Sequence, residues 1–169
     1  MLALFLTLFD IIRLRKGPEA IPYSWMLCLV VLTLWLLAGF AIALSTERID
    51  DQDFLNSTFT GVVALACYAA IVVSTGHTPR LLQTATAILG CGALISFLYL
   101  VETVVLGALV GEPVTTLIAM LIVFWSVPVE GHIIARAIDR HWYVGIVAAM
   151  AVFVFQWFLY DFLSANTAT

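Results

Sequence analysis

The chain has 169 residues, of which 63% are hydrophobic and 11% charged. A soluble domain is about half apolar and about a quarter charged, and one of this size could not cover so much apolar surface with so few charges. Lipid is therefore the implied solvent, and a net charge of -4 argues against nucleic acid as a partner.

In chain order, the first apolar run, Met1 to Leu14, is too short to cross a bilayer core, which needs about 20 apolar residues. Thr7, Asp10, Arg13 and Lys16 recur every third residue, which predicts one narrow polar stripe on a helix over residues 1–16. With Leu2, Phe5, Leu6 and Phe9 opposite, the pattern is that of a helix lying in the membrane interface or packed under a bundle. Gly17 and Pro18 are expected to end it. The cations follow the apolar run instead of preceding it, the reverse of a secretory signal peptide, so this helix is expected to be retained.

Five longer apolar runs follow, at about 24–44, 57–74, 84–110, 115–138 and 144–163. The second is the weakest, because it holds Thr58, Thr60 and Gly61. Continuous runs of this length predict helices, since a barrel would show shorter alternating segments. The expected fold class is all-α: a single polytopic membrane helix bundle with five transmembrane helices plus an N-terminal interfacial helix. Short polar connectors separate the runs, with Glu47, Asp50, Asp51 and Asp53 in the first of them.

Cations in short loops stay on the cytoplasmic side. With the N-terminus inside, Arg13, Arg15, Lys16, Arg80, Arg136 and Arg140 are cytoplasmic, and Arg48 alone is outside. The C-terminus is then outside, and a bacterial inner membrane is the expected location. Tyr23, Trp25, Trp142, Tyr143, Tyr160 and Phe162 sit near span ends, where aromatic side chains favour the headgroup level.

Intramembrane ionisable groups are costly and are therefore the candidates for function. Glu102 lies in the third span and reads either as a proton-relay or substrate-gripping carboxylate, or as a hydrogen-bonded contact between helices. Glu130 lies in the fourth span between Pro128 and His132. There Pro128 is expected to kink the helix, with Ser126 bonding to the backbone it frees, and Gly131 to let another backbone come close. His132, Arg136 and Arg140 are spaced by four, so one helical stripe would carry them toward the headgroups, with Glu130 and Asp139 free to pair with neighbouring cations. Arg13, Arg15, Lys16, Arg136 and Arg140 are the candidates for binding anionic headgroups. The bland reading of the second cluster is an ordinary charged helix end.

No catalytic motif is present. HExxH, HxxxH, GxSxG, a Walker loop and GxGxxG are all absent, and Glu130 and His132, two apart, point to different helix faces. Neither a metal site nor a cofactor is expected. Cys28, Cys67 and Cys91 lie in apolar runs without a CxxC pair and read as small packing residues. Gly107 and Gly111, Gly92 and Ser96, Ala66 and Ala70, and Gly145 and Ala149 are small pairs four apart that favour close helix contact.

The order of features resembles the Yip1-type membrane proteins, especially short bacterial members. The strings that carry the resemblance are Arg13-Leu14-Arg15-Lys16-Gly17-Pro18-Glu19 before the first span and Gly131-His132-Ile133-Ile134-Ala135-Arg136-Ala137 at the end of the fourth. The resemblance implies an N-terminal helix, five spans and no catalytic residues. Eukaryotic relatives carry a longer cytoplasmic N-terminal region and act in vesicle traffic with small GTPases, a region not expected here. The leading expectation is a non-enzymatic scaffold, assembly or trafficking factor. It would act through helix packing and contact with anionic lipids on the cytoplasmic side, with other membrane subunits or a second copy of the chain as further partners. The alternatives are a small transporter or transporter subunit using Glu102, and a lipid-modifying enzyme using Glu130, His132 and Arg136. A reporter fused after Thr169 is expected outside and one placed in the Gly76–Arg80 loop in the cytoplasm; a cytoplasmic C-terminal reporter would make the number of spans even.

Overall fold

The computed structural model describes residues 2–45 and 51–167. Arg48, Glu47 and Asp50 lie outside the described residues. Every regular element is helical: α1 (Leu2–Ile12), α2 (Trp25–Ser45), α3 (Asp51–Ser74), α4 (Leu81–Val101), α5 (Gly107–Val110), α6 (Glu112–Ala137) and α7 (Trp142–Thr167). A 3-10 turn at Thr78–Arg80 leads into α4, and a π-helical stretch, Glu102–Leu106, joins α4 to α5. Five helical stretches are long and apolar enough to cross a membrane: Trp25–Ser45, Gln52–Ser74, Thr78–Leu106, Pro113–Ala137 and Trp142–Ala165. The chain is a polytopic membrane helix bundle with a short additional helix at its N-terminal end.

Most of the apolar surface faces outward. α2 contributes a single buried residue, Val31. Apolar side chains gain nothing by leaving lipid for protein, so such a bundle is held by close packing and polar contacts. Several hydroxyls within the helices are satisfied locally. Thr84 and Thr86 each donate to the carbonyl four residues back, at 2.8 and 2.7 Å, the usual recourse of a hydroxyl with no water nearby.

One end of the bundle, here the proximal end, holds α1 and the turns at 76–80 and 138–141. Three helices stop there by the same device. A residue with positive φ follows the last turn, and its own N–H and that of the next residue close back on the helix carbonyls. For α3 that residue is Gly76 (φ 82), with His77 N–H on the Val72 carbonyl at 3.1 Å. For α1 it is Leu14 (φ 59), with Arg15 N–H on Asp10 at 2.9 Å. For α6 it is Asp139 (φ 51), with Arg140 N–H on Ala135 at 2.9 Å. α1 therefore ends before Gly17, and Arg13 and Lys16 are not on its helical stripe. Likewise α6 ends at Ala137, so Arg140 does not extend the stripe of His132 and Arg136.

α1 packs on α4 and α6. Leu8 and Ile11 are buried with Cys91 and Ile133, and a Cβ at Gly90 would come within 2.8 Å of Leu8. Phe5, Leu6 and Phe9 stay exposed on its other face. The tightest crossing joins α6 and α7 near the proximal end. A Cβ at Gly131 would lie 2.9 Å from the Ile146 Cα, and one at Gly145 would strike the Gly131 carbonyl and stand 2.7 Å from the Ala135 Cβ. Ala149, one turn on, is fully buried. Two of the expected small residues, Gly145 and Ala149, thus sit in a real contact. Gly107 does not, for its added Cβ would meet only Thr115 Cγ2 at 3.9 Å.

Overpacking a tight contact costs about 1–3 kcal/mol. Gly145→Ala is expected to lower the thermal midpoint of the purified protein, followed by reaction of the buried Cys91 thiol with a maleimide dye. Gly107→Ala is expected to leave that midpoint unchanged or raise it.

Candidate functional site

Two polar regions stand out, a clamp at the proximal end and a cleft inside the bundle. The clamp holds the segment between α1 and α2. Gln83 donates from Nε2 to the Ile21 carbonyl at 2.7 Å, and Trp125 donates from Nε1 to the Ile12 carbonyl at 3.3 Å. His132 Nε2 stands 3.1 Å from the Lys16 carbonyl, a bond that requires the proton on Nε2. Arg136 holds the Glu19 carboxylate through Nη2 and, at 3.1 Å, Nε. Arg80 donates to the carbonyls of Arg136 and Ala137 at 3.1 and 3.2 Å and pairs with Asp139 at 2.8 Å. These donors satisfy helix-terminal and loop carbonyls that have no partner within their own element.

Several expected headgroup cations are thereby engaged in the protein. Lys16 pairs with Asp10 at 2.8 Å, and the Arg13 guanidinium lies over the Phe9 ring at 5.6 Å. Arg136 is tied to Glu19. Arg15 and Arg140 are exposed. The two strings that carry the Yip1-type resemblance bond to each other here, through His132 with the Lys16 carbonyl and Arg136 with Glu19.

The cleft is the more unusual feature. A cavity of ≈ 530 Å³ is lined by Trp35 from α2, Ser57 and Thr60 from α3, and Gly92, Ile95 and Ser96 from α4. Val123, Ser126 and Glu130 from α6 and Phe153, Gln156, Trp157 and Tyr160 from α7 complete it. An adjoining cavity of ≈ 240 Å³ shares Trp35, Ser57, Ser96 and Tyr160 with it and adds Asp53 near the opposite end of the bundle. There the Tyr160 hydroxyl donates to Asp53 Oδ1 at 3.3 Å. Trp35 is seated against two glycines: a Cβ at Gly61 would lie 2.7 Å from its Cζ2, and one at Gly92 3.3 Å from its Cδ1.

Glu130 marks the deep part of the cleft. Its Oε2 accepts the Tyr68 hydroxyl at 2.6 Å across 62 residues of sequence, and Tyr68 is 2% exposed. Glu130 therefore pairs with a tyrosine, not with a cation as its charge suggested. Its Cα is seven residues from the end of α6, about 10 Å inside the bundle at 1.5 Å per residue. Ser126 donates to the Val123 carbonyl at 2.7 Å, three residues back, not to the Phe124 carbonyl that Pro128 leaves free.

Glu102 lies elsewhere. It opens the π-helical stretch, is 2% exposed and lines neither part of the cleft. Its Oε2 is 3.4 Å from the Thr103 hydroxyl, whose single proton has a shorter partner in the Tyr99 carbonyl at 3.0 Å. Its Oε1 is buried without a hydrogen-bond partner among the described residues. The nearest hydroxyl is thus on its own helix, whereas the contact reading looked for one on another. Among the described residues, no group of three His, Cys, Asp or Glu could hold a metal.

Sequence reasoning missed Gln156, the amide of the last span, and did not connect Thr60 or Ser96 with Glu130. Their signal was present as isolated polar residues in apolar runs, each unremarkable alone. No protein-family model, curated protein or solved structure matches the chain.

Outside the spans, hydrogen bonding to Arg80, with smaller attraction from Arg80, His77 and Arg136, holds the Asp139 carboxyl below its usual value of 3.8. Lys16 does the same for Asp10. A depressed carboxyl contributes stability that is present above the usual value and is lost as pH falls from there through the folded value. Asp139 is exposed and Asp10 partly so, and solvent screening keeps the effect small. The thermal midpoint is expected to fall as pH drops below about 4, and Asp10→Asn with Asp139→Asn should flatten that fall.

Proposed function

We propose that this integral membrane protein is a non-enzymatic solute-binding protein of the small-transporter type, and that Glu130, not Glu102, is its intramembrane handle. The observation that carries the reading is the cleft itself. Polar side chains from α3, α4, α6 and α7 converge on one space at whose deep part stands a carboxylate. Ionisable groups inside a span are expensive and mark substrate or ion pathways, and transporter sites lie between membrane helices. A scaffold held only by packing needs no such space.

The cation distribution supports an N-terminus inside, which would open the cleft to the outside of a bacterial inner membrane, with the clamp at the cytoplasmic face. The Yip1-type layout belongs to the same proposal, as the architecture in which the clamp anchors the N-terminal helix. Arg15 and Arg140, exposed beside the clamp, are its contacts for anionic headgroups. The scaffold reading stands second, favoured by the minimal connectors and the broad apolar surface.

Accessibility separates the two. With Cys28, Cys67 and Cys91 replaced by alanine, Ser96→Cys is expected to react with a small charged methanethiosulfonate supplied in water. Phe97→Cys, one residue on and 60% exposed to the lipid side, should not react. An unreactive Ser96→Cys in a folded protein would mean a dry bundle and would return the scaffold reading to first place.

A further inference from the structure

The chemistry of the cleft wall narrows what it accepts. Its charged side chains are Glu130 in the deep part and Asp53 in the adjoining space, and among the described residues no Lys, Arg or His lines either part. An anion would meet two carboxylates and no counter-charge. Oε2 of Glu130 is occupied by Tyr68, and among the described residues nothing donates to Oε1, so that atom can still accept. The rest of the wall mixes the aromatic rings of Trp35, Phe153, Trp157 and Tyr160 with the hydroxyls of Ser57, Thr60, Ser96 and Ser126, the Gln156 amide and the aliphatic Ile95 and Val123. Trp35 is held in place by Gly61 and Gly92.

A divalent metal cation fits poorly. Hard divalent ions take six or more oxygen ligands, and no described set of three His, Cys, Asp or Glu converges. An organic ammonium fits better. Its N–H groups suit a carboxylate acceptor and hydroxyls, its charge suits aromatic faces, and its body suits an apolar wall. The volume of ≈ 530 Å³ lies in the range of small-molecule sites, about 300–1,000 Å³.

We infer that the cleft binds a small organic cation, an ammonium on an apolar or aromatic body, with Glu130 as its counter-ion and Trp35, Phe153 and Trp157 as the wall around its body. The inference rests on the solute-binding reading above, and its test is independent of the accessibility test. The full chain, purified in detergent micelles, is titrated with 2-phenylethylammonium and with its neutral counterpart 2-phenylethanol. The readout is saturable change in tryptophan fluorescence.

The ammonium is expected to half-saturate at about tenfold lower concentration than the alcohol, the equivalent of about 1.4 kcal/mol. Glu130→Gln should abolish that preference, and Glu102→Gln, away from the cleft, should keep it. If Glu130→Gln fails to fold, competition in the wild-type protein decides: the anionic 3-phenylpropanoate should not displace the ammonium. Equal binding of ammonium and alcohol would overturn the inference while leaving a cleft for neutral solutes. Absence of saturable ammonium binding, with Ser96→Cys still reactive, would overturn the inference and leave the cleft reading standing. A dry Ser96→Cys would instead remove the reading itself.

Discussion

The hydrogen bond from Tyr68 to Glu130 depends on a backbone contact one residue away. Gly131 and Gly145 let α6 and α7 touch main chain to main chain, closer than any side chain would permit. That contact fixes Gly131, and with it the point at which the preceding residue, Glu130, meets α3. In a bilayer a carboxylate without a partner is expensive, so the bond to Tyr68 ties α3 to α6 where packing alone gives little preference between arrangements. The cleft begins at this point, with Ser126 and Val123 continuing its wall along α6 and Phe153 to Tyr160 along α7.

The proximal end is built on a different principle. Three helices end there in left-handed residues, and loop and helix-terminal carbonyls are taken by Arg80, Gln83, Trp125 and His132 from other elements. The result closes one end of the bundle, with α1 lying across α4 and α6. Cations that would otherwise be free for headgroups are partly spent on this closure, which leaves Arg15 and Arg140 as the exposed ones nearby with no side-chain hydrogen bond, ion pair or ring contact among the described residues. A closed, clamped end and a cleft reaching from the other end are the features on which the proposed solute-binding role rests.

The five spans were legible because bilayer thickness dictates helix length, and hydropathy reports it directly. The close approach at Gly131 was legible because a glycine beside a bulky run signals backbone contact. The helix ends were less so. Leu14 and Asp139 adopt positive φ without being glycine, and α3 begins at Asp51 although its first turn is polar. The π-helical stretch at Glu102 leaves no mark in hydrophobic period. The cleft was invisible because it joins residues such as Thr60, Ser96 and Gln156 that lie far apart in sequence, each a minor blemish in an apolar run. Glu102 drew attention by its isolation, yet depth in a span does not reveal what a side chain faces.

The most direct measurement is a crystal structure of the full chain grown in a lipidic mesophase with an alkylammonium present. The account predicts Glu130 Oε2 within hydrogen-bond distance of the Tyr68 hydroxyl, and ligand density between Oε1, Trp35 and Gln156. Helices closed over Ser96 with no space between them, or Glu130 turned away from Tyr68 toward the lipid, would contradict it.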